Sequence, residues 1–257
     1  MKYLEKEKSI VIDIPFNIDL SSYMLPKNYI HIKLQKSFVL AQTKKWIERR
    51  MALFMKYTCN SLLRQTSQEF LCLVRCTEAT YETIQSLLNE YPTLPENIIF
   101  TYEAHAIIDS IMNNSKWLYH VVIDSDNMYA SNFIERLLAF QFKEATQTIL
   151  CQEGYLYDEQ TGRVATIFHK SPSFYAVIYN KMRYEALFQK RLFEKHWDAI
   201  KYPYEVMTGK NYCICTHEQN VDNIFEKIKR GYDGQLVEGD EKIAFLKKWN
   251  IEGVDNE

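Results

Sequence analysis

Apolar positions in the first half of the chain follow two periodicities, one typical of strands and the other of helices. Short apolar or alternating runs predict strands over residues 28–34, 70–74, 97–101 and 117–123. Apolar residues at helical spacing predict helices over residues 43–63, after a capping Thr77, and through Ala104, Ile107, Ile108 and Ile111. Strands that alternate with helices in this way predict a parallel sheet with right-handed crossovers and helices on both faces.

The second half of the chain is more mixed. The pattern predicts a helix over residues 132–140, strands over 148–151, 174–179 and 212–216, and a hairpin over 155–167 that turns at 160–162. Charged segments at 221–230 and 241–249 predict helices on the outside of the molecule. With Gly 7, Pro 6 and no internal repeat, the chain is expected to form one domain over residues 1–257.

Composition excludes several classes of protein. A hydrophobic fraction of 47%, a charged fraction of 25% and a net charge of −2 are ordinary for a globular protein and argue against a broad nucleic-acid-binding surface. The six cysteines form no CxxC pair, which argues against a zinc knuckle. No secretory signal is expected, because MKYLEKEKSIVIDIPF lacks a long apolar stretch behind its lysines, and no apolar run reaches the ~20 residues of a spanning helix. We expect a cytoplasmic protein, with a peripheral membrane contact left open.

An acidic triplet, Asp124-Ser125-Asp126, directly follows residues 117–123 (WLYHVVI), the clearest buried strand that the pattern predicts. Ligands of open α/β sheets bind at the carboxyl ends of the strands, where this triplet is expected to lie. Two carboxylates separated by one residue suit one hydrated Mg²⁺ or Mn²⁺, a Lewis acid for a phosphate leaving group. The alternative is a solvated turn in which Asp126 caps the next helix.

Four sequence segments resemble GT-A glycosyltransferases, and more closely the bacterial family of rhamnosyl transferases. The segments are WIERRMALFMKYTCNSLLRQTSQEFLCLV, VVIDSDNMYASNFIERL, EGYLYDEQTGRV with SPSFYAVIY, and YCICTHEQNVDN, within about residues 28–225. The resemblance implies an α/β, GT-A-like Rossmann-type sandwich with a mainly parallel central sheet. It also implies a nucleotide-sugar-binding half at about 28–126, an acceptor-binding half at about 127–225 and a C-terminal helical tail at 226–257. The implied activity is metal-dependent hexosyl transfer from a nucleotide-diphosphate sugar to a glycan, lipid-linked or protein acceptor.

The resemblance also assigns residues. Asp124 would face the ribose and metal-bound water, Asp126 would coordinate the cation, and His217 would be a third ligand. Family members usually carry an acidic residue near Cys76, so that carboxylate is either lost here or supplied by Glu78, and Ser125 stands where many members have another aspartate. The expected donor-binding residues are Asp124, Ser125, Asp126, Arg49, Cys76 and Glu78.

Two residues at 196 and 198 are the candidates for a general base. If the reaction inverts configuration, a carboxylate or imidazole accepts the proton of the acceptor hydroxyl, and Asp198 or His196 in the cluster EKHWD suits this role. A polar helix end is the alternative for this cluster. Glu153, Asp158 and Glu159 are further carboxylates near the predicted hairpin. Of Arg49 and Arg50, one is expected to reach the diphosphate, or else both lie on a solvated helix face.

Two other functions share the predicted fold. A nucleotidyltransferase uses a similar sheet and acidic site, but NYIHIKLQKSFVLAQ lacks the glycine-rich loop that such enzymes carry, and the same lack argues against a methyltransferase. A catalytically degenerate glycosyltransferase-like domain that binds sugar or protein is the second alternative, since Cys76 and Ser125 depart from the family pattern.

Overall fold

The first strand of the fold was not among the strands predicted from the sequence. The computed structural model describes residues 6–18, 39–188, 196–218, 220 and 224–251, and strand β1 occupies Lys6–Pro15. It pairs in parallel with two other strands and carries five consecutive buried residues from Ile10 to Ile14. The predicted strand at 28–34 lies outside the described residues. An interior strand of the larger sheet is therefore supplied by a segment that begins at Lys6.

The predicted elements that follow appear in the predicted order, together with three short strands (residues 128–129, 204–206 and 235–237) and one helix (residues 181–187) that were not predicted. The strands are β2 (Leu71–Arg75), β3 (Ile98–Thr101), β4 (Ser115–Val122), β5 (Met128–Tyr129), β6 (Thr148–Leu150), β7 (Glu153–Asp158), β8 (Val164–Phe168), β9 (Tyr175–Tyr179), β10 (Tyr204–Val206), β11 (Lys210–Thr216) and β12 (Gln235–Val237). The helices are α1 (Lys44–Leu53, then the π-helical turn Phe54–Cys59 and Asn60–Leu63), α2 (Glu78–Leu88), α3 (Ala104–Asn113), α4 (Phe133–Ala139), α5 (Lys181–Leu187), α6 (Phe225–Gly231) and α7 (Gly239–Trp249). A 3₁₀ helix, His196–Lys201, precedes β10.

The larger sheet has the strand order β10-β6-β9-β4-β1-β2-β3 within the described residues. Its pairs are parallel except for the two that β9 makes with β4 and β6. Alternate residues of β1 face opposite ways, as the strand period requires. Ile12 packs in the cluster that contains α1 and α2, whereas Val11 packs with α3 and α5. The predicted α/β sandwich, with a mainly parallel central sheet and helices on both faces, is confirmed.

The helix boundaries have local causes. α1 begins after Thr43, whose hydroxyl accepts a hydrogen bond from the Trp46 N–H at 3.4 Å. Thr77 stands at the N-cap of α2, as predicted, but its side chain makes no capping hydrogen bond. The Thr77 hydroxyl donates instead to Oε1 of Gln42 at 2.8 Å. This bond joins the start of α2 to the segment that leads into α1.

A smaller sheet lies next to the carboxyl edge of the first. Its order is β12-β8-β7-β11-β5, and β7 and β8 form the predicted hairpin. β5 pairs antiparallel with Tyr212 and Cys213 in the first half of β11, so the chain that leaves β4 is soon held beside that strand. Phe245 and Trp249 of α7 pack against Tyr155 on this sheet. Among the described helices, none has the length and apolar character to cross a membrane.

Candidate functional site

The acidic triplet lies at the carboxyl edge of the large sheet, one residue beyond β4. The N–H of Ile123 donates to the carbonyl oxygen of Asp13 at 3.4 Å, which continues the pairing with β1 up to the triplet. Asp124 is exposed, whereas Ser125 and Asp126 are buried. One carboxylate therefore faces solvent, and the other lies inside the protein beside the strand ends.

Asn127 fixes the turn that carries the triplet. Its Nδ2 donates to Oδ2 of Asp124 at 3.3 Å, and its Oδ1 accepts the N–H of Cys215 in β11 at 3.1 Å. Its carbonyl oxygen accepts the hydroxyl of Thr58 at 2.8 Å. Thr58 belongs to the π-helical turn of α1, a kind of irregularity that is frequent at functional sites. The triplet is thus held by α1 on one side and β11 on the other.

Arg50 is the basic residue in contact with the triplet. Its NH1 donates to Oδ2 of Asp126 at 2.8 Å, and its Nε donates to the Ser125 hydroxyl at 2.6 Å. The guanidinium carbon lies 5.9 Å from the centre of the Trp46 ring. The Arg50 side chain keeps 19% of its surface exposed, so a polar ligand at the sheet edge has access to it.

His217 lies on the other side of Asp126. Its Nε2 is 3.1 Å from Oδ2 of Asp126, and its side chain is 1% exposed. The backbone N–H of His217 donates to Oδ1 of Asn220 at 2.6 Å, while Nδ2 of Asn220 lies 3.5 Å from the same Asp126 oxygen. The end of β11 therefore places an imidazole and an amide beside the buried carboxylate.

The two carboxyl groups of the triplet have opposite pKa shifts. Burial favours the protonated form of Asp126, but Arg50 and His217 outweigh it and lower the pKa of that carboxyl. For Asp124, desolvation by the surrounding protein and the negative charge of Asp126 raise the pKa, with Arg50 acting in the opposite sense. The Asp124 side chain is nevertheless open to solvent, which screens part of this repulsion. A cation bound beside Asp124 would offset the repulsion between the two carboxylates.

The donor atoms of the triplet fit a hydrated divalent cation. Hard cations such as Mg²⁺ are commonly held by one or two carboxylates, with water and phosphate oxygens in the other positions. The described hydrogen bonds to Asp126 all end on Oδ2, which leaves its Oδ1 for a further ligand. Adjacent octahedral ligands ~2.1 Å from an ion lie ~3 Å apart, close to the 3.1 Å between His217 Nε2 and Asp126 Oδ2. Across the described residues, however, no group of three His, Cys, Asp or Glu side chains is arranged to hold an ion. The set of three ligands stays a prediction.

The alternative in which the triplet is only a helix-capping turn is wrong. The residue at the N-cap of α4 is Asn132, six positions beyond Asp126. Asp126 is 5% exposed and is bound by Arg50 and His217, so it is not a solvated carboxylate. Asp126 is instead a buried carboxylate held by two basic side chains.

The other predicted donor-binding residues differ in their surroundings. Arg49 is paired with exposed Glu218, so the arginine that reaches the triplet is Arg50. Cys76 is buried in the apolar cluster, and Glu78 is exposed in the first turn of α2. Their donor-binding roles stay predictions, as does the division of residues 1–257 into donor and acceptor halves.

The predicted general bases lie on the 3₁₀ helix before β10. Asp198 is paired with Lys201, with 2.6 Å between Oδ1 and Nζ. β10 is three strands away from β4, on the order of 14 Å across the sheet. The side chain of His196 lies outside the described residues.

The three carboxylates near the hairpin have structural partners. Glu153 accepts the N–H of Gly209, Asp158 contacts Thr161 and Arg163, and Glu159 accepts from Lys56 and Tyr57.

A second buried charge cluster lies on the opposite face of the same sheet edge, and the sequence did not predict it. Asp13 of β1 accepts from Nε of Arg75 at 2.5 Å and lies 3.0 Å from Nε2 of His120. The three residues come from adjacent strands β2, β1 and β4. A carboxylate is therefore present next to the end of β2, but it comes from β1 rather than from position 76 or 78.

Comparisons with known proteins give a distant likeness in fold. No protein-family model and no curated protein matches the chain. TarS of S. aureus in complex with UDP-GlcNAc matches at 12% identity and a TM-score of 0.42, over 87% of this chain and 64% of that one. The longer TarS structure matches at 10% identity and 0.38, over 82% and 37% of the two chains. This chain thus spans 37% to 64% of these TarS chains. The 4-diphosphocytidyl-2C-methyl-D-erythritol synthase of Anaerococcus prevotii DSM 20548 matches at 12% identity and 0.38, over 88% and 94%. Values this low carry no argument about activity, and the rhamnosyl subtype finds no support among these proteins.

Proposed function

We propose that this chain is a glycosyltransferase that uses a nucleotide-diphosphate sugar, with a divalent cation, Mn²⁺ or Mg²⁺, at Asp124 and Asp126. The observation that carries the proposal is the buried Asp126 at the carboxyl edge of a parallel sheet, with Arg50 beside it. Ligands of such sheets bind at this edge. A site that combines carboxylates for a cation with a guanidinium for phosphate suits a nucleoside diphosphate.

Each residue of the site would have a separate role in the transfer. A bound cation supplies Lewis-acid neutralisation of the leaving diphosphate. Arg50 binds phosphate oxygens through its planar fork, and Ser125 orients that fork through Nε. Asn127 keeps Asp124 and the end of β11 in register. These side chains stabilise negative charge that develops as the sugar–phosphate bond breaks.

The transfer itself exchanges one bond for another. An acceptor hydroxyl attacks the anomeric carbon, the bond from that carbon to the diphosphate oxygen breaks, and the nucleoside diphosphate leaves. If configuration inverts, the hydroxyl proton passes to a base, for which Asp198 and His196 are the proposed candidates. The acceptor class is a glycan, lipid-linked or protein hydroxyl. The cysteines are free and buried, which suits the proposed cytoplasmic setting.

Release of nucleoside diphosphate from a panel of nucleotide sugars tests this proposal. UDP-GlcNAc, the ligand recorded with TarS, is the first donor to try. We expect metal-dependent release by the wild type and loss of at least ~100-fold in Asp126→Asn, as for the removal of one strong electrostatic contact. Asp240→Asn, an exposed carboxylate in the first turn of α7, is the matched control and should retain activity.

The two alternatives give different results in the same assay. A nucleotidyltransferase would release pyrophosphate from a nucleoside triphosphate and a sugar phosphate, and would leave nucleotide sugars intact. A degenerate domain would bind sugar or protein and release neither product. Either outcome would replace the proposed function.

A further inference from the structure

Arg50 is bound to Asp126, the carboxylate at which the proposed cation would lie. Its guanidinium is fixed at two points, since NH1 donates to Asp126 Oδ2 and Nε donates to the Ser125 hydroxyl. Ser125 is fully buried, and the Asp126 side chain is 7% exposed. The arginine is therefore an ordered part of the site and not a mobile surface charge.

A divalent cation and this guanidinium compete for the same negative charge. Asp126 Oδ2 already has Arg50 NH1 at 2.8 Å and His217 Nε2 at 3.1 Å. A cation on Asp126 would stand close to the positive guanidinium, where the protein screens repulsion far less than water does. Binding of the ion alone must therefore either displace Arg50 or tolerate this repulsion.

A diphosphate removes the conflict. Guanidinium groups bind phosphate oxygens through paired N–H bonds, so a nucleoside diphosphate gives Arg50 a replacement for Asp126. The guanidinium carbon of Arg50 also lies 5.9 Å from the Trp46 ring centre. The aromatic face attracts the guanidinium as it moves from Asp126 to the diphosphate.

We propose that Arg50 is a resident counter-ion that competes with the divalent cation for Asp126, so that the site binds the cation tightly only together with a diphosphate. This inference rests on the proposed function for the diphosphate, but the competition at Asp126 is a property of the chain alone. Arg50 then couples the occupancy of the cation site to that of the nucleotide site.

The first test is the affinity for Mn²⁺ alone, measured by calorimetry or by the paramagnetic resonance signal of the free ion. We expect Arg50→Gln to bind Mn²⁺ roughly tenfold more tightly than the wild type, a coupling of ordinary size. Lys44→Gln removes the same charge from an exposed position on the same helix and should leave the affinity unchanged. The gain in Mn²⁺ affinity should vanish in the double variant Arg50→Gln/Asp126→Asn, which would show that the gain depends on Asp126.

Arg50→Lys provides a second variant in case Arg50→Gln does not fold. It keeps the charge but cannot reach Ser125 and Asp126 with a planar fork, so its Mn²⁺ affinity should lie between those of the wild type and Arg50→Gln. A Mn²⁺ affinity that is the same in the wild type and in every folded Arg50 variant would overturn the competition.

The second test uses nucleoside diphosphate at saturating Mn²⁺. We expect Arg50→Gln to weaken its binding roughly tenfold, opposite in sign to the effect on Mn²⁺ alone. Weaker nucleotide binding with unchanged Mn²⁺ affinity would overturn the inference and leave the proposed function standing. Tighter Mn²⁺ binding, with no nucleotide bound by any variant, would support the competition and contradict the proposed function.

Discussion

Replacing Asp13 by asparagine tests how much the buried charge cluster stabilises the fold. The substitution keeps the size of the side chain and removes its charge. Asp13 is 5% exposed and accepts from Nε of Arg75 at 2.5 Å, with Nε2 of His120 at 3.0 Å. The amide oxygen of an asparagine can still accept from Arg75, but two basic groups then face a neutral side chain inside the protein.

The expected cost follows from the charges and their burial. Unit charges ~4 Å apart attract by about 4 kcal/mol at an effective dielectric constant of 20, and desolvation of the carboxylate offsets part of that. Removing one partner of a buried pair commonly costs 3–5 kcal/mol. Because the amide keeps one hydrogen bond, we expect a loss of about 3 kcal/mol in the free energy of unfolding.

The assay is urea unfolding of the wild type and Asp13→Asn from neutral to acid pH. Burial alone would raise the pKa of Asp13, but Arg75 and His120 outweigh it and hold that pKa below its ordinary value. A lowered folded-state pKa stabilises the fold above pH ~4, the unfolded value, and this stability is lost as the pH falls through the folded-state pKa. The part of the difference that comes from the carboxylate of Asp13 should therefore shrink as the pH falls below ~4.

Glu7→Gln on the same strand is the matched control for Asp13→Asn. Glu7 pairs with Lys116 at the surface, where both side chains are more than half exposed, and its loss should cost no more than about 1 kcal/mol. If Asp13→Asn costs as little as this control, or if its cost does not change with acid pH, the cluster does not stabilise the fold through the charge of Asp13.

Three further substitutions have expected outcomes. Gly154→Ala places a Cβ within 2.5 Å of the buried Tyr212 ring and should cost about 1–3 kcal/mol in urea unfolding; an unchanged midpoint would show that the ring can move. Asn127→Ala loses two side-chain bonds at the triplet and should cost about 1–3 kcal/mol. The substitution should also reduce thermal stabilisation by nucleoside diphosphate with Mn²⁺. A rise in the thermal midpoint equal to that of the wild type would contradict the positioning role of Asn127. Tyr57→Phe removes the 2.8 Å bond to Glu159 and should cost about 0.5–1.5 kcal/mol, whereas no cost would mean that water replaces the bond.

Most of the fold could be predicted from the sequence because the periodicity of apolar positions and short apolar runs are local signals. The helix over residues 43–63, the hairpin and the strand before the triplet all lie where the pattern placed them. β1 was not predicted because the charged Asp13 interrupts its apolar run, and lysines and glutamates precede that run. The charge is tolerated only because β2 and β4 bring Arg75 and His120 beside it, a long-range pairing that a local pattern does not contain.

The same limit applies to the candidate site. The triplet was found from its position after an apolar strand, since strand ends meet at one edge of the sheet. The choice of Arg49 over Arg50 missed a helical signal, because Arg50 lies three residues after Ile47 and four before Phe54, on the buried face of α1. Thr58, four residues after Phe54, shares that face and contacts the triplet turn. The partnership of His217 with Asp126 depends on the pairing of β5 with β11, which no short segment specifies.

Thermal stabilisation by nucleoside diphosphates and nucleotide sugars tests the central claim most directly. It compares the wild type with Asp126→Asn, each with Mn²⁺ and with EDTA. A ligand at ~100 times its dissociation constant adds about 2.7 kcal/mol to the stability of the folded state. The account predicts that at least one nucleotide raises the midpoint of the wild type with Mn²⁺, and that EDTA or Asp126→Asn abolishes the rise. An equal rise in Asp126→Asn, or no rise with any nucleotide, would contradict a donor site at the acidic triplet.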